Sequence, residues 1–97
     1  MAIIIDLVVT RHMALIDYLK EIHIADDNTK MLSHAKPEQL IGLNVCGVLP
    51  HNLSCHCNTF TEIPLVVPME LRGVELTIEQ IRQYAGKPIT YKVQIIE

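Results

Sequence analysis

A chain of 97 residues makes one domain, long enough to bury roughly 60–65% of its unfolded surface in a modest single core. Nearly half of its residues are hydrophobic and Trp is absent, so aliphatic side chains rather than stacked aromatics build that core. A net charge of -3 and the scattered aromatics Tyr18, Phe60, Tyr84 and Tyr91 argue against a long nucleic-acid duplex and against a stacking platform for single strands.

Ile3 to Val9 is apolar except at Asp6, the pattern of a strand covered on both faces in a parallel sheet. Thr10 follows as a candidate N-cap. Leu15, Tyr18, Leu19 and Ile22 recur at helical spacing, which predicts a helix over about residues 13–23 with one buried stripe. Asp26 to Lys30 reads as a polar loop, Met31 to His34 as a short second strand, and Pro37 to Gln39 as a turn. Val45 to Leu49 is a further apolar strand and Asn52 to Cys57 a short helix after it. Ile63 to Val67 reads as a strand that Pro64 confines to an edge or a bulge. Thr77 and Gln80 have the spacing of a capping box before a helix over about residues 78–85, which Gly86 and Pro88 end. Finally, Ile89, Tyr91, Val93 and Ile95 alternate with Thr90, Lys92 and Gln94, a half-exposed edge strand. The order β-α-β-β-α-β-α-β, without repeats or linkers, predicts one α/β domain over residues 1–97. Its expected form is a small Rossmann-like three-layer sandwich, mostly parallel, with a C-terminal edge strand.

Met1 to Asp6 lacks the positive start and the cleavage site of a signal peptide, and no apolar run approaches the length of a membrane span. A cytoplasmic protein that engages no membrane is the expectation. Cys46, Cys55 and Cys57 are an odd number, which argues for free thiols rather than a disulfide framework. His51, Cys55, His56 and Cys57 lack paired CxxC spacing, so packed thiols are favoured over a zinc site.

Two polar clusters stand where a strand gives way to a helix: Thr10-Arg11-His12 and Pro50-His51-Asn52. In open parallel sheets, ligands collect outside the carboxyl ends of the strands, and helix N-termini there add N–H donors. Arg11 offers a bidentate fork to phosphate oxygens, and His12 or His51 can move a proton near neutral pH. One crevice lined by both clusters is therefore an anion-site hypothesis, against the plainer reading of two solvated loops. Arg72, beside Gly73, could add a cation at the rim, or simply pair with Glu70 or Glu75. Gly42, Gly47, Gly73 and Gly86 match neither phosphate-loop nor dinucleotide spacing, which excludes the usual nucleotide triphosphatases and dehydrogenases.

The segments Val8 to His12, Gly47 to Leu53 and Glu70 to Leu76, in this order and spacing, resemble small CRISPR-associated accessory proteins of the Csx group. In this chain His51 directly follows Pro50, and Asn52 takes the place where those proteins more often carry histidine. The resemblance implies a ring nuclease of type III CRISPR systems, acting as a homodimer without cofactor or metal. Such an enzyme opens a cyclic oligoadenylate messenger, above all cyclic tetra-adenylate, by 2′-hydroxyl attack. Linear products with 2′,3′-cyclic phosphate ends result, and antiviral signalling is switched off. On this reading Arg11, His12 and His51 are catalytic, while Thr10, Asn52, Arg72 and Glu70 bind ligand. The same residues would serve a protein that sequesters the messenger uncut, and a structural adaptor is the alternative from another class.

Overall fold

The computed structural model describes residues 4–97, so the expected start of the first strand at Ile3 lies outside the described residues. Among these residues, five strands form one sheet in the order β2-β1-β3-β4-β5: β1 Leu7–Val9, β2 Lys30–Leu32, β3 Asn44–Gly47, β4 Thr59–Glu62 and β5 Ile89–Tyr91. The first four are parallel, and β5 closes one edge antiparallel to β4. Helices α1 Met13–Glu21, α2 His51–Ser54 and α3 Ile78–Tyr84, with 3-10 turns at Pro37–Gln39 and Met69–Leu71, make the connections. The fold is thus α/β with a mostly parallel sheet, in the element order that the chain's pattern implies.

The register explains the apolar runs. Val8 pairs with Cys46 on one face, while Leu7 with Val45 and Val9 with Gly47 look to the other. Val8 and Cys46 pack with Leu15 and Leu19 of α1 and Ile81 of α3. Leu7, Val9 and Val45 pack with Leu40 and Cys57, joined by Leu43 and Leu53. A central strand covered on both faces has no position left for a polar alternation.

Several boundaries move. Thr10 does not cap α1: His12 is the N-cap, and the Thr10 hydroxyl accepts the His12 N–H at 3.0 Å across the turn before it. At its other end α1 stops at Glu21, because His23 takes a left-handed conformation (φ 65°) and Ile24 N–H returns to the Leu19 carbonyl at 3.1 Å. The third strand ends at Gly47, two residues early, and α2 begins at His51 after Pro50 and ends by Ser54 rather than reaching Cys57. α3 is as the capping box implies: Thr77 N–H donates to Gln80 Oε1 at 2.9 Å and Gln80 N–H to Thr77 Oγ1 at 3.2 Å. Glu21 of α1 and Arg82 of α3 make a two-pronged ion pair that ties these neighbouring helices, and it holds the Glu21 carboxyl below its usual range.

The largest correction concerns the fourth strand. It is Thr59–Glu62, paired Asn44 to Thr59 and Val45 to Phe60 with β3, and not Ile63 to Val67. Pro64 has no N–H to give a ladder, and its carbonyl instead accepts from Gly86 N–H at 2.7 Å. The stretch after β4 therefore lies against the end of α3, with one bridge from Leu65 to Ala85. On β5 the Thr90 hydroxyl meets that of Thr61 at 2.9 Å, while Ile89 and Tyr91 stay 43% and 44% exposed. The apolar side of this edge strand lies on the same side of the sheet as Phe60 and α2.

Candidate functional site

From β1 the chain crosses through α1 to β2, over the face that holds Leu15 and Leu19. From β2 it crosses to β3 on the opposite face, past Leu40 and Leu43. Where neighbouring connections diverge in this way, the carboxyl ends of the strands are left open, and the order 2-1-3 places that opening at β1 and β3. A cleft of about 370 Å³ lies here, lined by Val9, Thr10, Arg11, His12, Ser33, His34 and Val48.

The floor is a contact between backbones. Val48 N–H donates to the Val9 carbonyl at 3.2 Å. Gly47, at φ 140°, lies so close that a Cβ there would stand 2.0 Å from the Val9 oxygen. Only glycine permits this approach. Across β1, Thr10 N–H donates to the Leu32 carbonyl at 3.0 Å, which draws Ser33 and His34 beside Thr10 and Arg11.

Thr10 is buried and its hydroxyl oxygen accepts the His12 N–H, so it shapes the loop. Arg11 is exposed, and the ion pairs among the described residues, Lys20 with Asp27 and Arg82 with Glu21, leave its guanidinium uncommitted. His12 is half-buried, and its Nδ1 accepts the backbone N–H of Leu76 at 3.2 Å. This bond brings the end of the Glu70 to Leu76 segment to the cleft. No acidic residue stands in the first turn of α1, so nothing there offsets the positive end of the helix toward an anion.

The other expected residues lie elsewhere. His51 lines a separate groove of about 320 Å³ with Leu49, Phe60, Glu62, Tyr91 and Val93. Asn52, Glu70 and Arg72 are exposed and line neither hollow. With only four residues, α2 sums too few peptide dipoles to act as an anion-binding terminus. The two loops leave adjacent strands but do not converge on one crevice. Arg72 makes no ion pair with Glu70 or Glu75 among the described residues. Ser33 and His34 are cleft residues that the sequence pattern does not single out, because it extends the second strand to His34; the strand ends at Leu32.

Cys46 and Cys57 are buried free thiols. Burial pushes the Cys46 thiol up to about 12, and burial, with Cys55 nearby, raises Cys57 despite Lys92. They serve as small core residues.

No curated protein and no solved structure matches the chain. A family model described as "Putative CRISPR-associated protein (Cas_VVA1548)" matches residues 7–94, which run from the first residue of β1 past the end of β5. With nearly its whole length covered, cleft included, the chain belongs to this CRISPR-associated family.

Proposed function

We propose that the protein is a ring nuclease of type III CRISPR signalling, which binds cyclic oligoadenylate, above all cyclic tetra-adenylate, and opens it to linear products ending in 2′,3′-cyclic phosphate. The observation that carries this reading is the cleft at the diverging ends of β1 and β3, where uncommitted Arg11 stands beside His12. Membership of a CRISPR-associated family supplies the context. The strand order, with α1 and α3 on one face and α2 on the other, supports a small Rossmann-like three-layer scaffold.

Ring opening needs the ribose 2′-hydroxyl held in line with the neighbouring phosphorus and negative charge stabilised as the new bond forms. Arg11 would bind the scissile phosphate through two N–H groups, and the Nε2–H of His12 would donate to a phosphate oxygen. Thr10 holds the loop that carries both.

A homodimer fits the ligand. A cleft of about 370 Å³ is near the lower end of the roughly 300–1,000 Å³ usual for small-molecule sites, too small to enclose a ring of four nucleotides. Two copies about a two-fold axis would present two Arg11 and two His12 to a ring of matching symmetry. Exposed apolar Val48 in the cleft, Met13 at the start of α1, and Val66, Met69 and Val74 in the connection that leaves the carboxyl end of β4, supply surface for such a contact.

The test is incubation of the purified protein with cyclic tetra-adenylate in excess EDTA, with products identified by mass spectrometry. Linear adenylates with 2′,3′-cyclic phosphate ends are expected. Ligand bound tightly but recovered intact would make the protein a sponge, and the absence of both binding and cleavage would refute the site.

A further inference from the structure

We infer that His34 is the proton-transfer group of this cleft and His12 a fixed hydrogen-bond donor, an assignment that rests on the ring-nuclease reading above. His51 opens onto another groove. His12 is in the cleft, but its Nδ1 lone pair accepts the Leu76 N–H at 3.2 Å. A neutral imidazole used in that way carries its proton on Nε2. Nε2–H can donate to a phosphate oxygen but has no lone pair with which to take a proton from a hydroxyl. The constraint is built in, since Leu76 is 4% exposed and directly precedes Thr77, the N-cap of α3 that the capping box secures.

His34 stands on the wall formed by the end of β2, brought there by the bond from Thr10 N–H to the Leu32 carbonyl at 3.0 Å. It is exposed, and its ring enters no hydrogen bond among the described residues, so both nitrogens are open to a ligand. The other charged or titratable side chains lining the cleft are Arg11 and His12; Ser33 is neutral, and β3 contributes only Val48 from the residue after its end. Among the described residues, no carboxylate lines the cleft to compete for the proton.

In the step assigned to His34, the 2′-oxygen bonds to phosphorus as the bond from phosphorus to the 5′-oxygen breaks. The hydroxyl proton passes to a ring nitrogen of His34, and the departing 5′-oxygen takes one proton from the resulting imidazolium or from water in exchange with it. Nothing but the cyclic ligand is consumed, and charge is conserved.

The experiment is single-turnover cleavage of cyclic tetra-adenylate from about pH 5 to about pH 9 by the full chain and by His34→Gln and His12→Gln, with affinity measured in parallel. General acid–base catalysis is worth about 10²–10⁴-fold. His34→Gln should therefore slow cleavage by that factor and flatten the pH profile while affinity stays within about threefold. His12→Gln, whose amide N–H can replace the Nε2–H donor, should keep the profile and lose less than about tenfold. Cleavage by the wild type with His34→Gln unaffected, or a profile flattened by His12→Gln alone, overturns the assignment and leaves the ring-nuclease reading standing. A wild type that neither binds nor cuts overturns both.

Discussion

Gly47→Ala probes the cleft floor with one methyl group. An ideal Cβ at this position meets Val9 backbone at 2.0 Å to oxygen, 2.8 Å to carbon and 3.0 Å to nitrogen. Those atoms belong to a central strand paired on both sides, so they cannot swing aside as a side-chain tip would. Overpacking costs about 1–3 kcal/mol, and an L-residue held at φ 140° costs a similar amount. Parting β3 from β1 also loses the bond from Val48 N–H to Val9 at 3.2 Å, worth about 1 kcal/mol. The expected loss is about 3–7 kcal/mol, a large share of the roughly 5–15 kcal/mol that holds a domain folded. Gly42→Ala is the control: it too has positive φ, at 76°, but nothing stands within 4 Å of its Cβ. Urea denaturation followed by circular dichroism should place Gly47→Ala far below Gly42→Ala in midpoint. Equal midpoints would refute the close approach of β3 to β1 and the cleft geometry built on it.

Arg82 holds the Glu21 carboxyl below its usual value of 4.5, so the folded state favours the ionised form; this support is present above the unfolded value and is lost as pH falls through the folded one. The stability difference between wild type and Glu21→Gln should accordingly shrink on acidification below about pH 4, and a constant difference down to acid unfolding would contradict the pairing. The Cys46 thiol, pushed up to about 12 by burial, should resist iodoacetamide in the native protein at about pH 8, while half-buried Cys55 is alkylated. Labelling of Cys46 at the rate of Cys55, read by peptide mass spectrometry, would show that the core face of β3 opens.

What the sequence disclosed follows from how strongly burial constrains it. β1 and β3 were legible because Leu7 to Val9 and Val45 to Cys46 are enclosed on both faces, and α3 because its capping box is local chemistry. β4 was misplaced by one segment: Thr59 and Thr61 look polar, although Thr61 is 2% exposed with its hydroxyl on Thr90, while apolar Ile63 to Val67 imitates a strand that Pro64 interrupts. For the site, Thr10, Arg11 and His12 could be found because they directly follow β1. His34 could not, since its place depends on β2 returning beside β1 and ending at Leu32. Nor does sequence position after β3 fix the side onto which His51 opens, which is decided by Pro50 starting α2 at once. The bond from Leu76 to His12 joins residues 64 apart, a pairing no local pattern encodes.

Everything proposed for the cleft depends on an anionic ring being bound and opened beside Arg11. The most direct test is single-turnover cleavage of cyclic tetra-adenylate by the wild type and by Arg11→Ala, with the fold of the variant verified by its thermal unfolding. Arg11 is exposed and bears no structural contact to lose among the described ion pairs. An unchanged melting temperature is expected, with a fall in cleavage of about 10²–10³-fold, as for removal of one transition-state donor. Cleavage at the wild-type rate by a folded Arg11→Ala would contradict that dependence.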